Sequence, residues 1–353
     1  MTFLRNCWYL AGWSREVGPD TLLPRRLLDE PVVFYRNADG NIAALHDRCP
    51  HRFAPLSSGK LADGTLYCGY HGIGFGTDGQ CVENPHGPIV RSLCVQAYPV
   101  RESQHGIWIW MGDPDRAEAT PVPDLQHFHD VPETAYSNGY LHCAANYMLF
   151  VDNILDLTHA DTLHPDTLGG GSYTRTKVKV SEHDKGMSLQ WHCWDEVPQP
   201  NMRLNGFTAD TADSWTEIEW QAPSIMTLRN GAVPAGTPRE DGKNFLVAHI
   251  MTPETETTTH YFFAATRDFE LANRELNDRI AATRASIFTR EDKPMIELQQ
   301  ERMQGQDFWS LKPVLLRSDE GAVKVRRKVD ALIHAETAGR KDAPQSEPAN
   351  LAS

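Results

Sequence analysis

Two short Cys–His arms carry the first recognisable chemistry in this sequence. Cys49-Pro50-His51 and Cys68-Gly69-Tyr70-His71 are separated by residues 52–67, and each arm lies in a turn-rich loop between strand-like runs. Two thiolates and two imidazoles can bind a single tetrahedral zinc. They can also bind a [2Fe–2S] cluster of Rieske type, with Cys49 and Cys68 on one iron and His51 and His71 on the other. Neutral imidazoles leave such a cluster less negative and raise its reduction potential. The spacing favours the cluster, because zinc modules usually place two cysteines in one arm and two histidines in the other, whereas each arm here has one of each.

A second group follows downstream. His159 and His164 lie five residues apart with Asp156 and Asp161 nearby. Alone, such a pair reads as an ordinary surface helix end; after a cluster motif in the same chain it reads as a metal site. On one continuous helix the two side chains would point about 140° apart, so sharing an ion requires a bend between them. Two imidazoles plus one distant carboxylate would make the facial triad of a non-haem Fe(II) site, with positions left open for dioxygen. Spacing does not separate Glu291, Asp292 and Glu297 as that carboxylate. Asp156, three residues before His159, could accept its ring N–H and hydrogen-bond a cluster histidine, linking the two metals.

The elements that must position these residues divide the chain in two. From residue 1 to about 126, short apolar runs alternate with turn residues. Val32-Val33-Phe34-Tyr35, Asn37-Ala38-Asp39-Gly40 and Ile42-Ala43-Ala44-Leu45 together read as a hairpin. Gly72, Gly74 and Gly76 lack both the spacing and the following helix of a dinucleotide fingerprint. Residues 111–131, with Pro114, Pro121 and Pro123, read as a connector. Helical spacing marks 146–159, strand-like runs fill about 174–266, and 276–303 and 323–336 read as helices, the first containing Pro294. The expected fold class is α+β: an N-terminal all-β domain over 1–120, then a catalytic domain over 121–336 with an antiparallel sheet covered by helices. The tail, 337–353, reads as disordered.

Composition bounds the function classes. The chain has 353 residues and a formal net charge of −13, which disfavours nucleic acid and anionic membrane surfaces as partners. No apolar run approaches the roughly 18 residues of a membrane span, the first residues make a poor signal peptide, and seven cysteines form an odd set. A cytoplasmic protein without a disulfide framework is expected.

The two arms, embedded in Arg48-Cys49-Pro50-His51-Arg52 and Tyr70-His71-Gly72, resemble the Rieske domain of Rieske non-haem iron oxygenases. The stretch Val151-Asp152-Asn153-Ile154-Leu155-Asp156-Leu157-Thr158-His159 resembles the catalytic domain of that superfamily, in its aromatic O-demethylase branch. The likeness covers nearly the whole chain. It departs at Gly69, where a proline is common, and at Met148, where relatives often carry a cation. The resemblance implies a Rieske [2Fe–2S] cluster, a mononuclear Fe(II) held by His159, His164 and Asp292, and dioxygen as cosubstrate. It also implies that Asp156 bridges the centres across a homotrimer, with Asn153 as a weaker neighbour.

The reaction it implies is O-demethylation of a methoxylated aromatic acid to a phenol and formaldehyde. Hydroxylation of an aryl methyl group, or a non-catalytic electron carrier, are the alternatives. His249, Leu228 and Thr283 match substrate-contacting positions of relatives, and Arg229 could anchor a carboxylate or sulfonate. Trp215, Trp220, Phe207 and Phe288 read as core. The sequence has no NAD fingerprint, flavin motif or second ferredoxin pattern, and Cys7, Cys81, Cys94, Cys143 and Cys193 fit no cluster. Electrons must therefore come from a separate reductase, by resemblance a flavin and ferredoxin protein using NAD(P)H.

Overall fold

A computed structural model describes residues 2–341 except 126, 127 and 205. The glycine-broken apolar runs of the N-terminal region become short strands: β1 (Trp8–Trp13), β2 (Leu23–Leu27), β3 (Glu30–Arg36), β4 (Ile42–His46) and β5 (Lys60–Ala62). They continue as β6 (Thr65–Tyr67), β7 (Gly74–Phe75), β8 (Cys81–Glu83), β9 (Val100–Ser103) and β10 (Gly106–Trp110). Three small antiparallel sheets result, ordered β1-β10-β9, β2-β3-β4 and β5-β6-β7-β8. Val33, Tyr35, Leu45, Leu56, Leu66, Ile73 and Phe75 pack with Cys49 and Cys68 into one buried cluster, so the loops bearing the cysteines stand on a solid floor.

The stretch read as a connector is not wholly irregular. Helix α1 (Pro114–Ala119) starts where the Asp113 side chain accepts from the Asp115 N–H and proline occupies the first turn. Strand β11 (Ser137–Cys143) was not expected. Its residues show no apolar run because it lies at a sheet edge with only Cys143 buried.

The remaining elements build the catalytic domain. Helices α2 (Tyr147–Leu155), α3 (Ala160–Leu163) and α4 (Ser172–Arg175) precede β12 (Lys179–His183) and β13 (Gly186–Glu196). After α5 (Pro200–Leu204) come β14 (Ala212–Gln221), β15 (Ile225–Pro234), β16 (Lys243–Pro253) and β17 (Thr259–Arg267). The seven strands form one antiparallel sheet, β11-β17-β16-β15-β14-β13-β12. Strand β17 is buried along its whole length, which explains its continuous apolar run. One face carries Met226, Leu228, Val247, Met251, Tyr261 and Phe263 against the helices. The other face sets Ile225, Ala248, Ile250, Phe262 and Ala264 against Trp8, Leu10, Trp13, Trp108 and Trp110 of the N-terminal domain.

The region expected as one helix over 276–303 is two, α6 (Arg274–Ile287) and α7 (Lys293–Met303), joined by a π-turn at Phe288–Asp292. Pro294 has no N–H to continue the ladder, so the chain widens just upstream. Helix α8 (Glu320–Lys341) is pinned to α2, where Arg326 donates to the Asp152 carboxylate at 2.5–3.0 Å. It extends past residue 336, which corrects the expected start of the tail: Glu336 accepts from the Arg5 and Asn6 backbone N–H groups at 2.9 and 2.7 Å and anchors this last stretch. Residues 342–353 of that tail lie outside the described residues. No helix among the described residues is long and apolar enough to cross a membrane.

Candidate functional site: two metal centres

The first centre grows from two matched loops. After β4, the Cys49 N–H donates to the Ala54 carbonyl and the Phe53 N–H to the Cys49 carbonyl, both at 2.9 Å. After β6, the Cys68 N–H donates to the Ile73 carbonyl at 2.9 Å and the Gly72 N–H to the Cys68 carbonyl at 3.0 Å. Each loop closes on a residue with left-handed backbone, Phe53 (φ 61°) and Gly72 (φ 72°). At Gly69 a Cβ would lie 2.6 Å from the Ser58 carbonyl oxygen, so in this chain the loop accepts only glycine without shifting. The cysteines are buried while His51 is exposed and His71 half-buried, their ring centroids 4.4 Å apart. The His86 ring nitrogen Nε2 donates to the His71 carbonyl at 2.8 Å.

These four side chains suit two irons better than one zinc. A tetrahedral ion holds its ligands about 2.0–2.3 Å away, so their donor atoms crowd together. Among the described residues, no three donors of this set lie within 4.8 Å of one another, whereas those of His159, His164 and Asp292 do. Buried thiols on one side and outward imidazoles on the other fit the Rieske cluster.

The second centre is assembled across the catalytic domain. Helix α2 stops at Asp156, whose Oδ1 accepts from the Thr158 N–H and Oγ1 at 2.9 and 2.7 Å and caps a short 3₁₀ turn ending at His159. Helix α3 then delivers His164 just past its end, so a break separates the two histidines and their rings approach to 5.2 Å. Asp292 arrives from the π-turn, with Oδ1 3.0 Å from His164 Nε2 and 3.4 Å from His159 Nε2. His164 is 1% exposed and Asp292 3%. Burial alone would push the Asp292 carboxyl up, but the two imidazoles outweigh it and hold it at about 2. Burial likewise opposes charge on His164, and the Asp292 and Glu291 carboxylates outweigh it to raise its pKa.

Two further side chains tune this centre. Asn153 Nδ2 lies 3.2 Å from His159 Nε2 and donates to Asp292 Oδ1 at 3.1 Å. Glu291 Oε2 accepts from His164 Nδ1 at 2.6 Å, which leaves Nε2 free to face an ion. Glu291 was one of three indistinguishable ligand candidates from spacing; the structure makes it the orienter of a ligand instead. Glu297 points elsewhere, accepting from the Ala144 N–H at 2.7 Å. The expectation that the Asp156 carboxylate would accept from His159 is corrected: the Asp156 carbonyl does so at 2.5 Å, because the carboxylate is held by Thr158.

Of the expected substrate residues, the structure brings two to the helix-facing side of the sheet. His249 on β16 is buried, with Nδ1 2.6 Å from the Tyr261 hydroxyl and its ring 5.1 Å from that of Phe288. Burial drives its pKa down to about 3, so it is neutral. Leu228 shares that face. Arg229, the next residue in the strand, is exposed on the opposite face, and Thr283 is exposed with its hydroxyl donating to the Arg279 carbonyl at 2.9 Å. Strand alternation and helix rotation, respectively, remove both from the site. Met148 is buried in the core, in keeping with the lost cation.

The comparisons with known proteins agree with this arrangement. Residues 7–99 match the Rieske [2Fe-2S] domain, and residues 143–335 match the vanillate O-demethylase oxygenase C-terminal domain. The chain is 38% identical over 339 residues to the oxygenase component of chloroacetanilide N-alkylformylase from Rhizorhabdus wittichii, covering 95% of this chain and 97% of that one. It is 36% identical over 348 residues to an iron–sulfur subunit of the toluene-4-sulfonate monooxygenase system from Comamonas testosteroni, covering 96% and 99%. The crystal structure of dicamba monooxygenase bound to 3,6-dichlorosalicylic acid superposes with a TM-score of 0.89 at 37% identity, covering 96% of this chain and 100% of that one.

A Rieske domain joined to a helix-covered sheet bearing a two-His, one-carboxylate triad defines the class: the oxygenase component of a Rieske non-haem iron monooxygenase system. Within it, the chain belongs to the family of vanillate O-demethylase oxygenase subunits. It is an oxidoreductase that uses a [2Fe–2S] cluster and a mononuclear iron, and it receives its electrons from a separate reductase. The reading as a zinc module or bare electron carrier is thereby set aside.

Proposed function

We propose that this protein O-demethylates a methoxylated aromatic acid, giving a phenol and formaldehyde. The observation that carries the reading is the enclosed aromatic face before the triad. Tyr261, Phe263 and Phe288 form it, their ring centroids 5.5–5.8 Å apart, with neutral His249 among them and Phe288 opening the π-turn that carries Asp292. Such a face excludes water from a reactive centre and positions a flat ring, and a misplaced methyl would waste the oxidant. The match of residues 143–335 to the vanillate O-demethylase C-terminal domain supports the same choice.

Cys49, His51, Cys68 and His71 hold the cluster in this reading, and His159, His164 and Asp292 hold the iron. An iron held by these three residues would supply reductive activation of dioxygen for insertion of one oxygen atom into a methyl C–H bond. The balance is methyl ether plus O₂, NAD(P)H and a proton, giving phenol, formaldehyde, NAD(P)⁺ and water. The hydroxylated methyl is a hemiacetal, which breaks its C–O bond as the proton moves to the phenolate oxygen. Glu291 fixes the His164 tautomer, the Asp156 carbonyl fixes that of His159, and His249 and Leu228 contact the ring. The reductase is a flavin and ferredoxin protein, and the setting is the cytoplasm.

Among the described residues no hydrogen bond or ring contact joins the cluster arms to the triad within one chain. By the likeness to Rieske oxygenases we infer a head-to-tail homotrimer, in which Asp156 offers its carboxylate to a cluster histidine of the neighbouring subunit. A closed ring of heterologous contacts satisfies such an interface.

A second reading, hydroxylation of an aryl methyl group, is favoured by the likeness to the toluene-4-sulfonate monooxygenase subunit. The test is a panel of methoxybenzoates and 4-toluenesulfonate with a surrogate reductase. Formaldehyde should appear in equal amount with a phenol. A panel that yields benzylic alcohol and no formaldehyde from any methoxyarene replaces the first reading with the second.

A further inference from the structure

Helix α6 places a cation against the same aromatic face. Arg284 lies one helical turn before Phe288, whose ring contacts those of His249 and Tyr261 at 5.1 and 5.5 Å. Its Nη1 is fully enclosed and has no hydrogen-bond partner, and among the described residues Arg284 makes no ion pair. The residue as a whole is half-buried, but an enclosed cationic nitrogen without a partner is still costly, because buried charge is normally paired. Burial lowers its pKa to about 10, which still leaves it charged at neutral pH. It lies close enough to His249 and Tyr261 for its charge to act on both.

The sheet opposite repeats the pattern. Trp191, Trp220 and Asn230 point to the same face as His249, as the cross-strand rows Trp191–Thr216–Asn230 and Trp220–Met226–His249 dictate. Trp191 Nε1, Trp220 Nε1 and Asn230 Oδ1 are buried and also lack partners. His249 spends Nδ1 on Tyr261. Unpaired polar atoms in a protein interior are rare and call for a ligand. Here most of them are donors, and one carries a full positive charge.

We infer that Arg284 anchors the anionic group of an aromatic substrate, a carboxylate or a sulfonate, with its planar fork. This deepens the proposed function and rests on it for the location of the reacting centre. Arg284 precedes Asp292 by eight residues, at most roughly 12 Å along the helical axis because the π-turn at Phe288–Asp292 rises less per residue than an α-helix. That separation leaves an aromatic ring between the anchored group and the iron ligands. A guanidinium matches either anion by two parallel N–H bonds, which an ammonium cannot reproduce. The anchor replaces the expected Arg229, which faces away.

The test is calorimetric titration of the metal-loaded protein with 4-methoxybenzoate, 4-toluenesulfonate and neutral 4-methoxybenzamide. The wild-type protein should bind at least one of the two anions about 10- to 100-fold more tightly than the amide, the range of a buried charge-assisted contact. Arg284→Met should erase that preference while leaving amide binding within about threefold, and Arg284→Lys should restore only part of it. Which anion shows the larger loss tells carboxylate from sulfonate. Equal binding of anion and amide by the wild-type protein overturns the proposal without any variant. So does unchanged anion affinity in Arg284→Met, or failure of both anions to bind. Formaldehyde is scored alongside. Arg284-dependent anion binding with no formaldehyde sinks the demethylation and leaves the anchor; formaldehyde from the amide, with anions bound no better, sinks the anchor and leaves the demethylation.

Discussion

The two metal centres of this chain are built on opposite plans. The cluster arms come from one short stretch, residues 49–71, and backbone hydrogen bonds shape them almost unaided. Their imidazoles face outward beside Phe53 and Tyr70, which are 70% and 63% exposed, and an open depression of about 310 Å³ lined by Arg48, Pro50 and Phe53 adjoins them. The triad instead gathers residues from α2 through α7, buries them, and orients them with side chains such as Asn153 and Glu291. One site is open so that electrons can enter through an exposed edge; the other is enclosed so that the oxidant made with them meets the substrate and not bulk solvent.

That contrast also explains what the sequence disclosed. The cluster arms were legible because all four residues are local and each loop is set by its own backbone. The two histidines were legible for the same reason, even to the break between them. Asp292 was not separable from Glu291 by spacing, since the choice depends on a π-turn that Pro294 induces just upstream of itself. The anion anchor expected from sequence was Arg229, which strand alternation turns to the opposite face, and no local pattern marks the proposed Arg284 as enclosed. Strand β11 went unread because an edge strand with one buried residue carries no apolar pattern. Contacts made across the fold, such as Arg326 with Asp152, left no local signal at all.

The largest effect should come from breaking one centre and sparing the other. Asp292→Ala is expected to lose the mononuclear iron and reduce turnover beyond the roughly 10- to 100-fold that an outer-shell loss costs. The visible bands of the cluster should persist, because its loops stand on a separate core. Cys68→Ser should do the reverse, bleaching the cluster while iron analysis still finds the mononuclear ion. If either substitution empties both centres, the two are not independent constructions.

A smaller effect tests the wire between them. Asp156 holds its own helix cap through Oδ1 and passes only its carbonyl to His159, so Asp156→Asn keeps the cap acceptor and the carbonyl. Both metals should therefore load normally. Turnover should still fall, about 10- to 100-fold, because a neutral amide accepts the ring N–H of a cluster histidine in the proposed neighbouring subunit less strongly than a carboxylate does. The readouts are iron content, the cluster spectrum and the rate at which substrate-bound protein reoxidises the cluster. A variant with full metal content and unchanged reoxidation removes Asp156 from the path.

The smallest effect concerns how the enclosed half responds to acid. His260 on β17 is buried where the two domains meet, its Nε2 2.9 Å from the Arg26 carbonyl and its Nδ1 2.9 Å from the Tyr140 hydroxyl. Burial lowers its pKa to about 4, against the pull of the Arg26 carbonyl and Glu254, with Arg25 and His142 adding to the fall. The unfolded chain, with histidine near 6.5, takes up a proton that the folded chain refuses. Stability from this group is therefore complete above about pH 6.5 and is lost as the pH falls toward 4, by up to about 1.4 kcal/mol per pH unit. His260→Gln should cost about 1–3 kcal/mol at pH 7 through its two hydrogen bonds. It should also flatten the dependence of the urea midpoint between pH 6.5 and 4 by close to one proton. An unaltered slope would mean that His260 is charged in the folded protein and that the joint between the domains is wetter than its packing indicates.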